Sequence, residues 1–112
     1  MPLVSTPNFT ISVLEATPGI LRLCLAGEFD MSIGDALKRA LTEAAHRPGA
    51  SHVIVDLNRT TLIDSHAIAG LVNGYEAATS AGVAFTVVNG RGMVQEVLEI
   101  TGLAEVFCSA DG

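Results

Sequence analysis

The chain has 112 residues, a length typical of one domain, and 49% of them are hydrophobic, which is enough for a single core. Its formal net charge is −6 and its six basic residues are scattered, so we expect neither nucleic acid nor an anionic membrane as a partner, because both are bound by clustered lysines and arginines. No apolar run approaches the roughly 20 residues of a membrane span, and the N-terminus has no signal-peptide pattern, so we expect a cytoplasmic protein.

The N-terminal part of the chain predicts an antiparallel hairpin. Residues 9–14 alternate apolar and polar side chains over most of their length, as a half-buried strand does. Residues 16–19, Ala-Thr-Pro-Gly, are typical of a turn, and residues 20–26 form a second predicted strand directly after it. A tight turn between adjacent strands makes their pairing antiparallel.

Helices and strands alternate in the middle of the chain. Apolar residues recur at helical spacing from Ile33 to Ala44, which predicts the first helix. Residues 52–57 are a short, β-branched and nearly continuous apolar run, typical of a central strand that is buried on both faces. A polar loop is predicted next, and a second helix begins at about Ser65 and ends before Gly82.

The C-terminal third predicts a strand over residues 83–88, a helix that ends near Gly102, and a short last strand over residues 105–108. The order ββαβαβαβ is that of an α/β domain. We expect a mixed, mostly parallel sheet that begins with the antiparallel hairpin, with right-handed crossovers and helices packed on the sheet. Residues 1–112 should form this one domain, with its core within residues 9–107.

The segment between the central strand and the second helix has the strongest functional signal. In open α/β sheets, functional residues gather at the carboxyl ends of strands. Ser65 would lie at the helix start, where free backbone N–H groups and the positive dipole end tolerate added negative charge, including a phosphate. The alternative is structural: Asp64 or Ser65 only caps the helix, which contributes roughly 1 kcal/mol. Position alone leaves both interpretations open.

The residue types of a hydrolytic triad occur in Asp64, Ser65 and His66, but not in a usable arrangement. Consecutive residues that enter a helix point about 100° apart, so they cannot converge on one substrate. No histidine has a second histidine or cysteine at metal-ligand spacing, and Cys24 and Cys108 form no CxxC motif. We therefore predict no metal site, no structural disulfide and no cofactor, and a protein that is not an enzyme.

Several short motifs resemble those of the STAS domain family. They are Gly27-Glu28-Phe29-Asp30, Val55-Asp56-Leu57, Ile63-Asp64-Ser65, Ala81-Gly82-Val83 and Thr101-Gly102-Leu103. The resemblance extends over residues 9–107, and the Asp-Ser pair in this context is its most specific part. A stand-alone chain of this length is similar to the bacterial anti-sigma-factor antagonists of that family.

The resemblance implies a function and the residues that carry it. In such antagonists the unmodified protein binds a serine kinase that is also an anti-sigma factor, and binding frees the sigma factor. The kinase then phosphorylates the serine of the Asp-Ser pair, and a serine phosphatase restores it. The resemblance makes Ser65 the phosphorylation site, and it places Asp30, Asp64 and His66 with Ser65 in the contact with the kinase. His66 stands where the family often has a small hydroxyl residue, so it bears on kinase recognition.

Two other functions are open from the sequence. The first is a STAS-type interaction subunit that is not phosphorylated, in a stressosome or a lipid-transport complex. The second is a small nucleotide-binding protein. Incubation with candidate kinases separates the first from the antagonist, and a nucleotide-binding titration tests the second.

Overall fold

A computed structural model describes residues 2–5, 9–29 and 34–108 of the chain. Its strands are β1 (Pro2–Ser5), β2 (Phe9–Thr17), β3 (Ile20–Phe29), β4 (His52–Ile63) and β5 (Ala84–Val88), and its helices are α1 (Gly34–Ala45), α2 (Ser65–Ser80), α3 (Gly92–Ile100) and α4 (Leu103–Cys108). None of the helices in these ranges combines the length and hydropathy that a membrane span requires.

The strands form one sheet in the order β1-β2-β3-β4-β5. β1 and β3 each pair antiparallel with β2, whereas β4 pairs in parallel with β3 and with β5. This confirms a mixed sheet with an N-terminal hairpin, to which the short β1, not predicted from the sequence, adds a further antiparallel pairing. Gly19 turns the hairpin at φ +87°, where residues with a side chain are strained. Its carbonyl accepts hydrogen bonds from the backbone N–H groups of Ser51 and His52, which join the turn to the start of β4.

The core lies between one face of the sheet and the helices. Val53, Val55 and Leu57 of β4 are fully buried and belong to one hydrophobic cluster with residues of α1, α2 and α3. The residues between them, such as Ile54 and Asp56, are only half-buried and lie on the other side, here called the open face. The prediction that this strand is buried on both faces is therefore wrong, because the helices pack against only one set of its alternating side chains.

Helices α1 and α2 approach each other closely at a glycine. A Cβ atom at Gly74 would lie 2.7 Å from the Cβ atom of Leu41 and 2.8 Å from its Cδ1. Carbon atoms in contact are ordinarily about 3.5–4.0 Å apart, and Leu41 is fully buried. The lack of a side chain at position 74 therefore sets how closely the two helices pack.

The C-terminal end differs from its predicted structure. Residues 105–108 belong to helix α4, so the predicted last strand is wrong. Val106 and Phe107 favour strands, but Leu103 and Ala104 pack on the core cluster, and α4 contacts both α3 and β5. Tertiary packing thus overrides the local preference, and β5 is the last strand in the described part of the chain.

Candidate functional site

Strand β4 continues beyond its predicted end and carries the chain to the start of α2. The polar residues after Leu57 were expected to form a loop, but β4 stays paired with β3 as far as Ile63. Facing pairs along the two strands are Cys24 with Asp56, Ala26 with Arg59, and Glu28 with Leu62. The register between the two strands shifts twice, once between Asp56 and Arg59 and once between Thr60 and Leu62. At each shift β4 contains one more residue than β3, as in a β-bulge, and such bulges bend a strand and re-aim its side chains.

The irregular end of β4 is held in place by one buried polar residue and one apolar residue. Thr60 is 5% exposed, and its hydroxyl donates a hydrogen bond of 2.7 Å to the carbonyl of Leu25 in β3. Ile63 is buried in the core cluster. Because both ends of this short segment are anchored, the next residue, Asp64, is brought to a defined position at the helix start.

Asp64 is the N-cap of α2. Its backbone is extended (φ −110°, ψ −175°), and its Oδ1 accepts a hydrogen bond of 3.0 Å from the N–H of Ala67. Its carbonyl accepts the hydrogen bond of 2.9 Å from the N–H of Ile68. The sequence did not decide whether Asp64 or Ser65 caps the helix, and the structure assigns the cap to Asp64. A side-chain cap of this kind contributes about 1 kcal/mol to stability.

Ser65 takes no part in this capping. It is the exposed first residue of α2, and its hydroxyl forms no hydrogen bond with any residue that the structure describes. His66 is exposed beside it, whereas Ala67 is fully buried. Of the predicted site residues, the structure thus brings Asp64, Ser65 and His66 together, while Asp30 lies outside the described residues.

A polar network that was not predicted lies on the open face of the same strand. The Asp56 carboxylate accepts hydrogen bonds from Arg22 Nη2 (2.8 Å) and Nε (3.2 Å), from the backbone N–H of Asn58 (2.9 Å), and from Asn89 Nδ2 (3.2 Å). The side-chain oxygen of Asn58 in turn accepts a hydrogen bond of 2.9 Å from Arg91 Nη1. Arg91 is the N-cap residue of α3. The network therefore joins β3, the irregular part of β4 and the start of α3.

These contacts stabilise the charged form of Asp56. Partial burial raises its pKa, but the hydrogen bonds from the backbone of Asn58 and from Arg22 and Asn89 outweigh burial, so the pKa lies below its usual value. A carboxylate with a lowered pKa stabilises the folded state above its unfolded pKa, which is about 3.9. That stabilisation is lost as the pH falls through the lower pKa that Asp56 has in the folded state.

We expect the free energy of unfolding of the wild type to fall more steeply below about pH 5 than that of Asp56→Asn. The variant starts less stable at neutral pH because Arg22 loses its charged partner, but it has no carboxylate to protonate at this position. Urea unfolding curves at several pH values measure the two slopes. Glu76→Gln, on the exposed face of α2, is the matched control and should keep the wild-type slope. Equal slopes for wild type and Asp56→Asn would show that Asp56 does not carry this acid sensitivity.

The chain has relatives in both sequence and fold. The model of the STAS domain family matches residues 12–111. The chain is similar to the anti-sigma F factor antagonist of Paenibacillus polymyxa, at 24% identity over 94 residues that cover 84% of this chain and 80% of the relative. It is also similar to the solved structure of an anti-sigma factor antagonist from Mycobacterium paratuberculosis, with a TM-score of 0.77 and 25% identity over 93% of this chain and 87% of that one. The unphosphorylated form of the anti-sigma factor antagonist SpoIIAA shares its fold, with a TM-score of 0.74 and 16% identity over 84% and 82% of the two chains.

Proposed function

The chain belongs to the STAS domain family, and from this premise we propose that it is an anti-sigma-factor antagonist whose Ser65 is a phosphorylation switch. In its unmodified form it binds an anti-sigma factor serine kinase and thereby releases a sigma factor. Phosphorylation of Ser65 ends the binding, and a serine phosphatase restores it. The names of the relatives from Paenibacillus polymyxa and Mycobacterium paratuberculosis support the antagonist role, and the geometry around Ser65 supports the switch.

The observation that carries the switch is the division of roles between Asp64 and Ser65. Asp64 satisfies the N–H of Ala67, so the Ser65 hydroxyl is not needed for capping, and Ser65 is an exposed residue. A kinase can reach this hydroxyl without opening the helix. If Ser65 were the cap, phosphorylation would have to break a hydrogen bond that stabilises α2.

Added negative charge at Ser65 is compatible with the fold. Helix α2 has 16 residues, and the free N–H groups of its first turn carry the positive end of the helix dipole. A phosphate carries about −1.5 to −2 charges at pH 7, and helix N-termini stabilise anions. The phosphorylated protein should therefore keep its fold, and the loss of binding should arise at the interface.

The kinase would contact the exposed pair Ser65 and His66, with Asp64 beside them and with Asp30, which precedes α1 in the sequence, as a further contact. An interface packed around a small serine cannot accept a large hydrated phosphate without losing contacts. Asp64 already places one negative charge next to the modified residue. Phosphorylation thus changes both the shape and the charge that the kinase meets.

The proposal makes this chain a binding protein and not an enzyme. The kinase and the phosphatase carry out the chemistry, in the cytoplasm, and the antagonist needs no cofactor of its own. The contact of Asp64 supports this assignment, because its carboxylate bonds to the backbone N–H of Ala67 and is not used to orient His66.

Incubation of the purified chain with ATP and candidate anti-sigma kinases tests the switch. We expect one phosphate, on Ser65, in mass spectra of the product. Ser65→Ala retains the Asp64 cap, so it should fold and bind the kinase but take up no phosphate. Ser51 and Ser80 are exposed elsewhere and serve as internal controls that should stay unmodified. Phosphate on another residue would contradict the switch, and kinase binding without any phosphorylation would favour the STAS-type interaction subunit instead.

A further inference from the structure

The chain contains two Asn-Gly pairs, Asn73-Gly74 and Asn89-Gly90, and the fold places them in opposite environments. An asparagine before a glycine can lose ammonia, because the next backbone nitrogen can attack the side-chain amide and glycine has no side chain to obstruct the approach. The attack requires that this nitrogen be available and that the backbone around the pair can rotate. The place of each pair in the fold therefore decides whether it reacts.

Asn73-Gly74 is held in the middle of helix α2. Within a helix each backbone N–H is bonded to the carbonyl four residues earlier, so the nitrogen of Gly74 is not available for attack. Gly74 is also buried, and a Cβ atom there would lie 2.7 Å from the Cβ atom of Leu41. A reaction at Asn73 would first require that α2 opens.

Asn89-Gly90 lies between β5 and α3, outside the helices and strands. Asn89 is exposed, and among the described residues it is the only one other than glycine with a positive φ, of +62°. The backbone N–H of Gly90 donates no hydrogen bond to a residue that the structure describes. Its nitrogen is thus available without the opening of a helix or a strand.

The side-chain amide of Asn89 has one hydrogen bond to a described residue. Its Nδ2 donates to Oδ1 of Asp56 over 3.2 Å, at the long end of the usual range. The Asp56 carboxylate has shorter contacts elsewhere, with the N–H of Asn58 at 2.9 Å and with Nη2 of Arg22 at 2.8 Å. Asp56 therefore keeps these partners when the amide of Asn89 turns towards Gly90.

We propose that Asn89 is a deamidation site, at which water converts the side-chain amide into a carboxylate. The nitrogen of Gly90 gives up its proton to water and attacks Cγ of Asn89, and the new nitrogen–carbon bond closes a succinimide ring. The Cγ–Nδ2 bond breaks, and Nδ2 takes up a proton and leaves as ammonia. Water then opens the ring: addition at Cγ breaks the new bond and gives aspartate, whereas addition at the backbone carbonyl breaks the peptide bond to Gly90 and gives isoaspartate.

The aspartate product changes the polar network around Asp56. An ionised carboxylate at position 89 has no hydrogen to donate, so the hydrogen bond is replaced by repulsion between two negative charges. In the described part of the chain, two side-chain hydrogen bonds join β4 to the residues between β5 and α3, and only that of Asn58 with Arg91 would remain. Deamidation therefore weakens the connection between β4 and the start of α3.

Storage of the purified chain for several weeks at neutral pH, followed by peptide mapping with mass spectrometry, tests the site. We expect the mass gain of an amide-to-acid change to appear at Asn89 at least about tenfold faster than at Asn73, because a loop opens far more readily than the interior of a helix. Asn73 is the internal control, since it has the same following residue in the same chain. No gain at Asn89, or equal rates at the two positions, would overturn the proposal.

Gly90→Ala tests the route through the succinimide. Its Cβ atom would obstruct the attacking nitrogen, and the closest contact of that atom, Oε1 of Gln95 at 2.6 Å, is the end of a flexible side chain that can turn away. The variant should therefore fold and should gain mass at Asn89 severalfold more slowly than the wild type. An unchanged rate in a folded Gly90→Ala would contradict attack by the nitrogen of residue 90.

Asn89→Asp contains the aspartate product from the start and tests its effect on the network. Its Tm at neutral pH should lie roughly 5 °C below that of the wild type, because the new carboxylate faces Asp56. Asn89→Gly is the matched control: it also removes the amide, it suits the positive φ, and it adds no charge. Equal Tm values for the two variants would show that the product does not repel Asp56.

Discussion

We expect the Ser65→Asp variant to fold like the wild type and to bind the kinase about a hundredfold more weakly, which corresponds to a penalty of about 3 kcal/mol. The fold should tolerate the new carboxylate because it lies at the positive end of the α2 dipole, next to a cap that Asp64 already supplies. The interface should not tolerate it, because the kinase meets a second negative charge beside Asp64. Isothermal titration calorimetry with the kinase measures the affinity, and a thermal melt measures the fold.

Ser80→Asp is the matched control for this variant. Ser80 is the exposed last residue of the same helix, so the added charge is equal but lies away from the contact surface. Its affinity for the kinase should stay within about threefold of the wild type, while its stability should fall by roughly 0.5 kcal/mol, because negative charge is unfavourable at the C-terminal end of a helix. If Ser65→Asp binds as tightly as the wild type, the switch is wrong and Ser65 is an ordinary surface residue.

Gly74→Val should lower the free energy of unfolding by about 2–3 kcal/mol, which corresponds to a fall in Tm of about 10 °C or more. Its Cβ atom would lie 2.7 Å from the Cβ atom of Leu41, so it cannot be accommodated by a change of rotamer. Helices α1 and α2 would have to move apart, which disrupts the packing of Leu41 in the core. Urea unfolding and thermal melts measure both quantities.

Ala69→Val on the exposed side of α2 controls for the helix propensity of valine. It introduces the same side chain into the same helix without a steric conflict, and it should cost about 0.5 kcal/mol. Gly74→Ala should fall between the two, because alanine improves helix propensity while its Cβ atom meets the same contact. Wild-type stability of Gly74→Val would mean that α1 and α2 do not approach each other at Gly74.

The elements that were predicted correctly are those with strong local signals. The hairpin follows from the alternation in β2 and from the turn at Gly19, and α2 follows from its apolar spacing. The end of β4 and helix α4 lack such signals. The polar residues after Leu57 are held in a strand by pairing with β3 and by the buried hydroxyl of Thr60, and α4 is helical because of its contacts with α3 and β5. The pairing of β4 with β3 and the contact of α4 with β5 join segments that are separated in sequence, and no local pattern contains them.

The candidate site could be located from the sequence, but its internal geometry could not. Ser65 stands at a strand end and a helix start, and both are visible as local sequence patterns. Which residue caps the helix could not be predicted, because Asp64 and Ser65 both have side chains that can form a cap. The contact between Arg22 and Asp56 depends on strand register. Arg22 faces Ile54 and reaches Asp56 diagonally, and no sequence pattern specifies that offset. The kinase contact predicted for Asp30 lies outside the described residues and stays a prediction.

Because Asp64 caps α2 and Ser65 does not, the side chain that stabilises the helix start and the side chain proposed as the switch belong to two adjacent residues. Under the switch proposed above, a substitution at position 65 that removes the hydroxyl would give a protein that always binds its kinase and that still keeps the α2 cap. Position 64 differs, because a residue there that cannot accept the hydrogen bond from the N–H of Ala67 would lose the α2 cap, at a cost of about 1 kcal/mol.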